Sequence, residues 1–316
     1  MRAVVRRKKD TSDHSPQKPL YESKGKGIFS RGALKEAIEK GLILKTGKGL
    51  YAYRGVVNDL MSGLDRAFKE LFCGFNPQET VYPSTVERQV LEKAGYLENF
   101  PDTLELVSCL GPRPGRGTLK QPGKSSCYLT ERVLLPAACL PCYAQLSHRR
   151  LKNGELLAIT VRNKVFRNEP SFNTLFKMNE FEQREVIFIG GRDKVKAALD
   201  ESFRLVKSLA LKLGLKFELV PSYDVFYGKN RDWKSLFQLL TETKIELRAY
   251  CPDLKRFIPV TSLNSHGTHF CRGFGVRLDN GRAHSGCVAF GIARWALIVL
   301  NTHGLNPAKW PGIIRR

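Results

Sequence analysis

Residues 164–190 read KVFRNEPSFNTLFKMNEFEQREVIFIG. Two apolar, strand-like runs flank a polar segment, a pattern that fits two strands and a long connection. The runs also carry ionised groups: Arg167 and Glu169 on the way out, Glu182, Arg184 and Glu185 on the return. Side chains alternate faces along a strand. Arg167 and Glu169 are therefore expected on one face, and Phe181, Gln183 and Glu185 on one face of the partner. If the runs pair as a hairpin, these groups converge. An arginine suits a phosphate because it stays charged and binds in a bidentate manner. A carboxylate beside it can accept from an exocyclic amine, and an aromatic ring can stack on a base. This is a nucleotide platform built from a sheet, with the residues between the strands as a loop over the ligand. The alternative is a surface hairpin with one ion pair.

The chain has 316 residues, enough for one large domain or two small ones, and a net charge of +22. So large an imbalance calls for an anionic partner, either nucleic acid or an acidic protein, or else simply solvates the surface. There is no run of eighteen apolar residues, so no transmembrane helix is expected. The start, MRAVVRRKKDTSDHSPQKP, has no apolar core of a secretory signal. Eight irregularly spaced cysteines do not form a disulfide framework and fit a reducing, cytoplasmic setting.

Residues 1–28 are polar, basic and aperiodic, and read as a disordered basic tail; residues 29–316 read as the folded domain. SRGALKEAIEKGLI begins with Ser30, a candidate helix cap. VVNDLMSGLDRAFKELF places Val57, Leu60, Met61, Leu64, Phe68 and Leu71 on one helical face, as core. GPRPGRGTLKQPGKS (111–125) reads as an exposed basic loop. An amphipathic helix is expected over 193–213, strands at KFELVP and KIELRAY, and a closing strand–helix unit in HSGCVAFGIARWALIVLNTHG. Strands and helices without regular alternation predict an α+β fold, mainly antiparallel sheet flanked by helices.

The motifs extend this reading. FRNEP resembles motif 2 of the class II aminoacyl-tRNA synthetases, Phe-Arg-x-Glu followed by a loop and an aromatic-bearing strand. FGIARW resembles motif 3, and TVYPSTVERQVLEKAGYLENFP resembles the motif 1 region with Pro83 in place. The three occur in the family's order. KTGKGLYAYRG, GYLENFP, LLPAACLPCY and GCVAFGIARW are closer to one branch, the amino acid:[carrier protein] ligases. Those enzymes are relatives of the zinc-dependent seryl-tRNA synthetases of methanogens and lack a tRNA-binding domain.

The resemblance implies a class II synthetase-like catalytic domain, a homodimer through the motif 1 region, and ATP with Mg²⁺ as co-substrate. It implies Arg167 on the α-phosphate, Glu169 on the adenine amine, Phe181 stacked on adenine and Arg294 on the γ-phosphate. It also implies one Zn²⁺ per chain held by Cys139, Glu185 and Cys287, with an open position for the amino acid's amine. Asp224 and Phe226 are matched to the substrate pocket, although the branch more often has Pro where Val225 stands, and the small Ala289 near the implied metal leaves space for the substrate. Competing metal readings are the pair Cys139 and Cys142, the cluster His266, His269 and Cys271, and Glu182 in place of Glu185. The implied reaction is ATP-dependent formation of an aminoacyl-adenylate from a small amino acid. Transfer to the phosphopantetheine thiol of an acidic carrier protein follows. The alternatives are a synthetase-like enzyme that loads or uses tRNA, and an amide-forming natural-product ligase.

Overall fold

The computed structural model describes residues 18–24, 29–110, 127–228 and 230–315. An eight-stranded sheet forms its centre. In chain order its strands are β1 (Tyr21–Glu22), β2 (Gln78–Thr80), β3 (Leu156–Phe166), β4 (Glu180–Gly190), β5 (Phe217–Pro221), β6 (Lys244–Cys251), β7 (Arg256–Gly267) and β8 (His284–Gly291). Their spatial order is β1-β5-β6-β7-β8-β4-β3-β2. Every pair is antiparallel except β2 with β3, at one edge. The α+β, mainly antiparallel expectation is met.

The period-two pattern of β4 divides the protein into two cores. Val186 and Phe188 enter a cluster with helices α1 (Gly55–Leu71), α3 (Arg192–Lys212) and α5 (Ile292–His303). Ile187 and Ile189 enter the other, with helix α2 (Leu140–Gln145). The expected stripe on α1 is the one buried: Val57, Leu60, Met61, Leu64 and Phe68 face the sheet, and Phe68 stacks on Phe290 of β8 with centroids 4.3 Å apart. Gly63 lets the C-terminal segment cross α1. A Cβ there would lie 2.2 Å from the Ile314 carbonyl oxygen. Helix α4 (Arg231–Leu240) buries none of its residues. Among the described residues no helix is long and apolar enough to cross a membrane.

Two expectations need correction. Residues 18–24 are not tail: Tyr21 pairs with Leu219 of β5, its ring lies 5.5 Å from Phe217, and the Ser23 hydroxyl accepts from the Phe217 amide at 2.9 Å. The short run LYES supplies one aromatic and one small polar residue, enough to cover a sheet edge but too short to show periodicity. Ser30 does not cap the first helix, Ala33–Glu39. Gly32, at φ +80°, reverses the chain just before that helix, and the Ser30 backbone bonds to Asn301 instead. Residues 1–17 and the basic loop 111–125 lie outside the described residues. The strands on either side of that loop pair, with Leu110 opposite Cys127.

Candidate active site

β3 and β4 form the expected hairpin, in register from Leu156 opposite Gly190 to Phe166 opposite Glu180. Arg167 and Glu169 lie just past the end of β3 rather than on it, because the ladder stops at Phe166. Asn179 extends the pairing by one step: its carbonyl accepts from the Arg167 amide at 2.8 Å and its Nδ2 donates to the Arg167 carbonyl at 3.3 Å. The Arg167 side chain turns over Phe181, with Cζ 5.4 Å from the ring centroid, and Nε donates to the Pro136 carbonyl at 3.2 Å.

Arg294 is the third residue of α5 and approaches the same ring, with Cζ 6.0 Å from the centroid. Its Nε donates to the Phe176 carbonyl and its Nη1 to the Pro259 carbonyl, at 3.0 and 3.2 Å. Desolvation first, then the charge of Arg167, holds the Arg294 guanidinium below its ordinary pKa; Glu169 and Glu246 offset part of that. Two cations thus lie beside one aromatic ring, bonded among the described residues to backbone carbonyls rather than to carboxylates. Such a site favours a polyanion carrying an aromatic base.

Further along the same face of β4 lies a second constellation. Cys139 stands at the N-cap of α2, Glu185 in the middle of β4 and Cys287 in the middle of β8. Their Sγ and carboxylate atoms lie within 4.8 Å of one another. The residues are 5, 2 and 3% exposed, so the group lies almost wholly out of bulk water. Glu185 Oε2 is buried with no hydrogen-bond partner. Burial, then the nearby Cys287 charge, pushes the Glu185 carboxyl up to about 8. Cys139 donates to Cys287, which raises the Cys139 thiol and lowers the Cys287 thiol; His266 and Asn264 lower Cys287 further. A buried acid beside two thiols, with one oxygen unsatisfied, is costly without a cation. Two sulfurs and one carboxylate are a donor set that fits zinc.

The competing metal readings separate. Cys142 is pushed up to about 12, chiefly by burial, and lies outside the cluster. His269 Nε2 sits 3.0 Å from the Ala94 carbonyl oxygen, and Cys271 is a buried thiol raised to about 11. Glu182 is on the opposite face of β4, where it accepts from Arg162 at 2.6 Å. Of the pocket residues, Ala289 sits directly across from Glu185 in the ladder. Asp224 is committed to Lys244 and Gln238, and Phe226 stacks on Phe100 at 5.1 Å.

The tRNA synthetase class II core domain (G, H, P, S and T) matches residues 128–303, more than half of the chain. The chain belongs to this family. An amino acid–[acyl-carrier-protein] ligase of Bradyrhizobium diazoefficiens is 28% identical to it, over 97% of this chain and 89% of that protein. A type-2 serine–tRNA ligase of Methanococcus aeolicus is 26% identical, over 93% of this chain but 60% of its own length. In structure the chain is similar to the M. kandleri seryl-tRNA synthetase solved with an A. aeolicus tRNA, at TM-score 0.79 and 23% identity, covering 94% of this chain and 62% of that one. The resemblance carried by FRNEP and FGIARW is therefore confirmed at the level of family.

In this class II core, three features beside the site were not read from sequence. Lys244, Glu246 and Arg248 alternate along β6 and form a chain of ion pairs with Asp224. KIELRAY carries the signal, charges at every second position. Asp65 of α1 receives Arg184 from beneath β4; a lone acid in an apolar helical stripe is the trace of that contact. His266 turns onto Cys287, and no spacing in the sequence shows it.

Proposed function

We propose that this class II synthetase-like ligase activates a small amino acid with ATP and transfers it to the phosphopantetheine thiol of a carrier protein. The observation that carries the reading is the convergence of Arg167, Phe181 and Arg294 with Cys139, Glu185 and Cys287 on one sheet face. In the first step a carboxylate oxygen of the amino acid attacks the α-phosphorus of ATP, and pyrophosphate leaves. Arg167 balances the charge that develops at that phosphate; Arg294, at the N-terminus of α5, balances the departing one. Mg²⁺ accompanies the phosphates. Phe181 stacks on adenine and Glu169 accepts from its amine. Cys139, Glu185 and Cys287 hold one zinc ion, which supplies a Lewis-acidic position for the substrate's α-amine. The small side chain of Ala289, opposite Glu185, leaves room there. In the second step the carrier thiol attacks the activated carbonyl, a thioester forms and AMP leaves. No side chain acts as nucleophile; catalysis rests on position and charge.

A carrier acceptor is supported by the 28% identity to a carrier-protein ligase over 97% of this chain. The net charge of +22 suits an acidic carrier, and supports RNA as the second reading. We assign residues 18–315 to one catalytic domain that acts in the cytoplasm. A homodimer through the motif 1 region is supported by β2 at the sheet edge and by Val81 beside it, 84% exposed. ATP–pyrophosphate exchange across the amino acids tests the first step. Transfer of labelled amino acid to carrier protein and to tRNA, offered side by side, tests the second.

A further inference from the structure

His266 lies one residue before the end of β7, and its ring stands between two groups of the metal-site region. Nε2 is 3.5 Å from Cys287 Sγ, and Nδ1 is 3.0 Å from the Tyr143 hydroxyl, with the Ser285 hydroxyl farther off at 3.4 Å. Tyr143 is fully buried in α2, four residues after Cys139 at the cap of the same helix. Phe270 packs edge-on to the imidazole, centroids 4.7 Å apart, which limits rotation. A second donor reaches the same sulfur: Asn264 Nδ2 is 3.5 Å from Cys287 Sγ. Cys139 and Glu185, the other two members of the group, have no such side-chain N–H donor among the described residues.

We propose that His266 is a positioning residue for Cys287: its Nε2–H donates to the sulfur while Nδ1 accepts from Tyr143, so that α2 and β7 together fix the sulfur of the zinc site. The inference rests on the zinc reading above and deepens it. A neutral imidazole has one N–H and one lone pair. The tyrosine hydroxyl needs a partner because it is buried, and Nδ1 at 3.0 Å can accept from it. The proton of the ring is thereby placed on Nε2, facing the sulfur. The arrangement uses the logic by which ligand-supporting hydrogen bonds orient a first ligand and tune its basicity. Here the N–H donors draw charge from the sulfur, so Cys287 donates less electron density to the ion. The ion stays more electrophilic toward the substrate's amine. His266 itself lies outside the group whose ligand atoms are all within 4.8 Å of one another.

The test compares His266→Gln, whose amide N–H can reach the Nε2 position, with His266→Asn, whose amide reaches only the Nδ1 position. His266→Ala is the full deletion. Each protein is loaded with Zn²⁺ and titrated with a chelator, then loaded with Co²⁺ for the sulfur-to-metal absorption band. His266→Asn and His266→Ala should release zinc at least about tenfold more readily, because the sulfur loses its orientation and a donor that favours its thiolate form, which outweighs its stronger donation to the ion. Their Co²⁺ band should move to lower energy, because an undonated sulfur gives up its electrons more easily. His266→Gln should restore both values. Asn and Gln variants that both match the wild type overturn the proposal, and if the Ala variant does not fold the Asn–Gln pair decides alone. A wild type that binds no zinc, or Cys139→Ser and Cys287→Ser variants that keep it, overturns the zinc reading and this one with it. Loss of zinc in the cysteine variants with no effect at His266 overturns this one only.

Discussion

Arg184 clasps Asp65 with two hydrogen bonds, Nε to Oδ1 at 2.8 Å and Nη2 to Oδ2 at 2.9 Å. Arg184 precedes Glu185 on β4 and points the opposite way, so the clasp fixes α1 to the strand that carries Phe181 and Glu185. Arg162 shares the Asp65 carboxylate at 3.2 Å, and Glu79 accepts from Arg184 at 3.0 Å. Desolvation works against the Arg184 charge, and these carboxylates outweigh it. Asp65→Ala should therefore leave a guanidinium that is 2% exposed with only Glu79 and the Thr160 hydroxyl as partners. We expect a loss of about 3 kcal/mol, the lower end for breaking a buried pair, because Glu79 remains. Urea unfolding measures it; a loss below about 1 kcal/mol would mean that the clasp is not needed.

Arg167→Ala and Arg294→Ala should each lower ATP–pyrophosphate exchange by about a hundredfold or more, as removal of a preorganised charge stabiliser does. Near-normal exchange in both would remove the assigned roles. Neither change should unfold the protein, since each guanidinium bonds backbone carbonyls at the site and no carboxylate is left unpaired.

Much of this site was legible because it sits on regular strands. Period-two alternation in EFEQREVIF separates Phe181 and Glu185 from Glu182 and Arg184 with no tertiary information, and the structure keeps that split. The misplacement of Arg167 and Glu169 shows the limit: the ladder ends at Phe166, one residue before Arg167, and boundaries are the least determined part of a strand. The Asp65–Arg184 clasp and the His266–Cys287 contact join residues more than twenty positions apart through side chains alone, and periodicity carries no record of such pairs. Tyr21 was lost in a basic segment because a strand of two residues has no pattern to recognise.

Lys244 is the hub of a half-buried network, bonded to Asp224 and 3.6 Å from Glu246. Burial pushes the Asp224 and Glu246 carboxyls up, but Lys244, with Gln238 or Arg248, outweighs it and both end below their ordinary values. A depressed carboxyl adds stability above its unfolded pKa, and that stability is lost as pH falls through the folded value. Lys244→Met removes the largest of these offsets, so burial weighs more heavily on both acids and shifts them toward the protonated form. The variant should be destabilised more at pH 7 than at pH 4, by about 1–2 kcal/mol at neutrality, because water screens the 36% exposed Asp224 side chain. Urea unfolding at the two pH values decides; an equal loss at both would assign Lys244 a packing role.

The hairpin Ile43–Gly47 and Leu50–Tyr53 holds the loop between β3 and β4. The Asn179 amide donates to the Gly49 carbonyl at 2.9 Å, and the Tyr53 hydroxyl reaches Met178 Sδ at 3.4 Å. Gly49 has φ +73°, and a Cβ there would lie 2.4 Å from the Phe172 ring. Gly49→Ala should cost at least about 1 kcal/mol from backbone strain alone. Because Phe172 must move, KM for ATP should rise several-fold. A stability loss with unchanged KM would confine the hairpin to a structural part.

The acceptor is tested by helix α4. Trp233, Phe237 and Leu240 fall on one helical face and are 74, 64 and 74% exposed. The helix is tied to the site, because Gln238 Nε2 donates to Asp224 Oδ2 at 3.1 Å and its Oε1 accepts from the Asp224 amide at 2.7 Å. A row of large apolar side chains in water marks a protein-binding face. RNA binding would instead draw on phosphate neutralisation and fall steeply with salt. The double variant Trp233→Ala, Phe237→Ala should keep exchange within about twofold and lower transfer to carrier protein at least about tenfold, since exposed aromatics of this kind carry most of an interface's affinity. Removing residues 1–17, which hold Arg2, Arg6, Arg7, Lys8 and Lys9 but none of β1, should leave carrier transfer intact. Label entering tRNA, lost on that truncation and untouched by the α4 variant, would make RNA the acceptor and the basic segment its binding element.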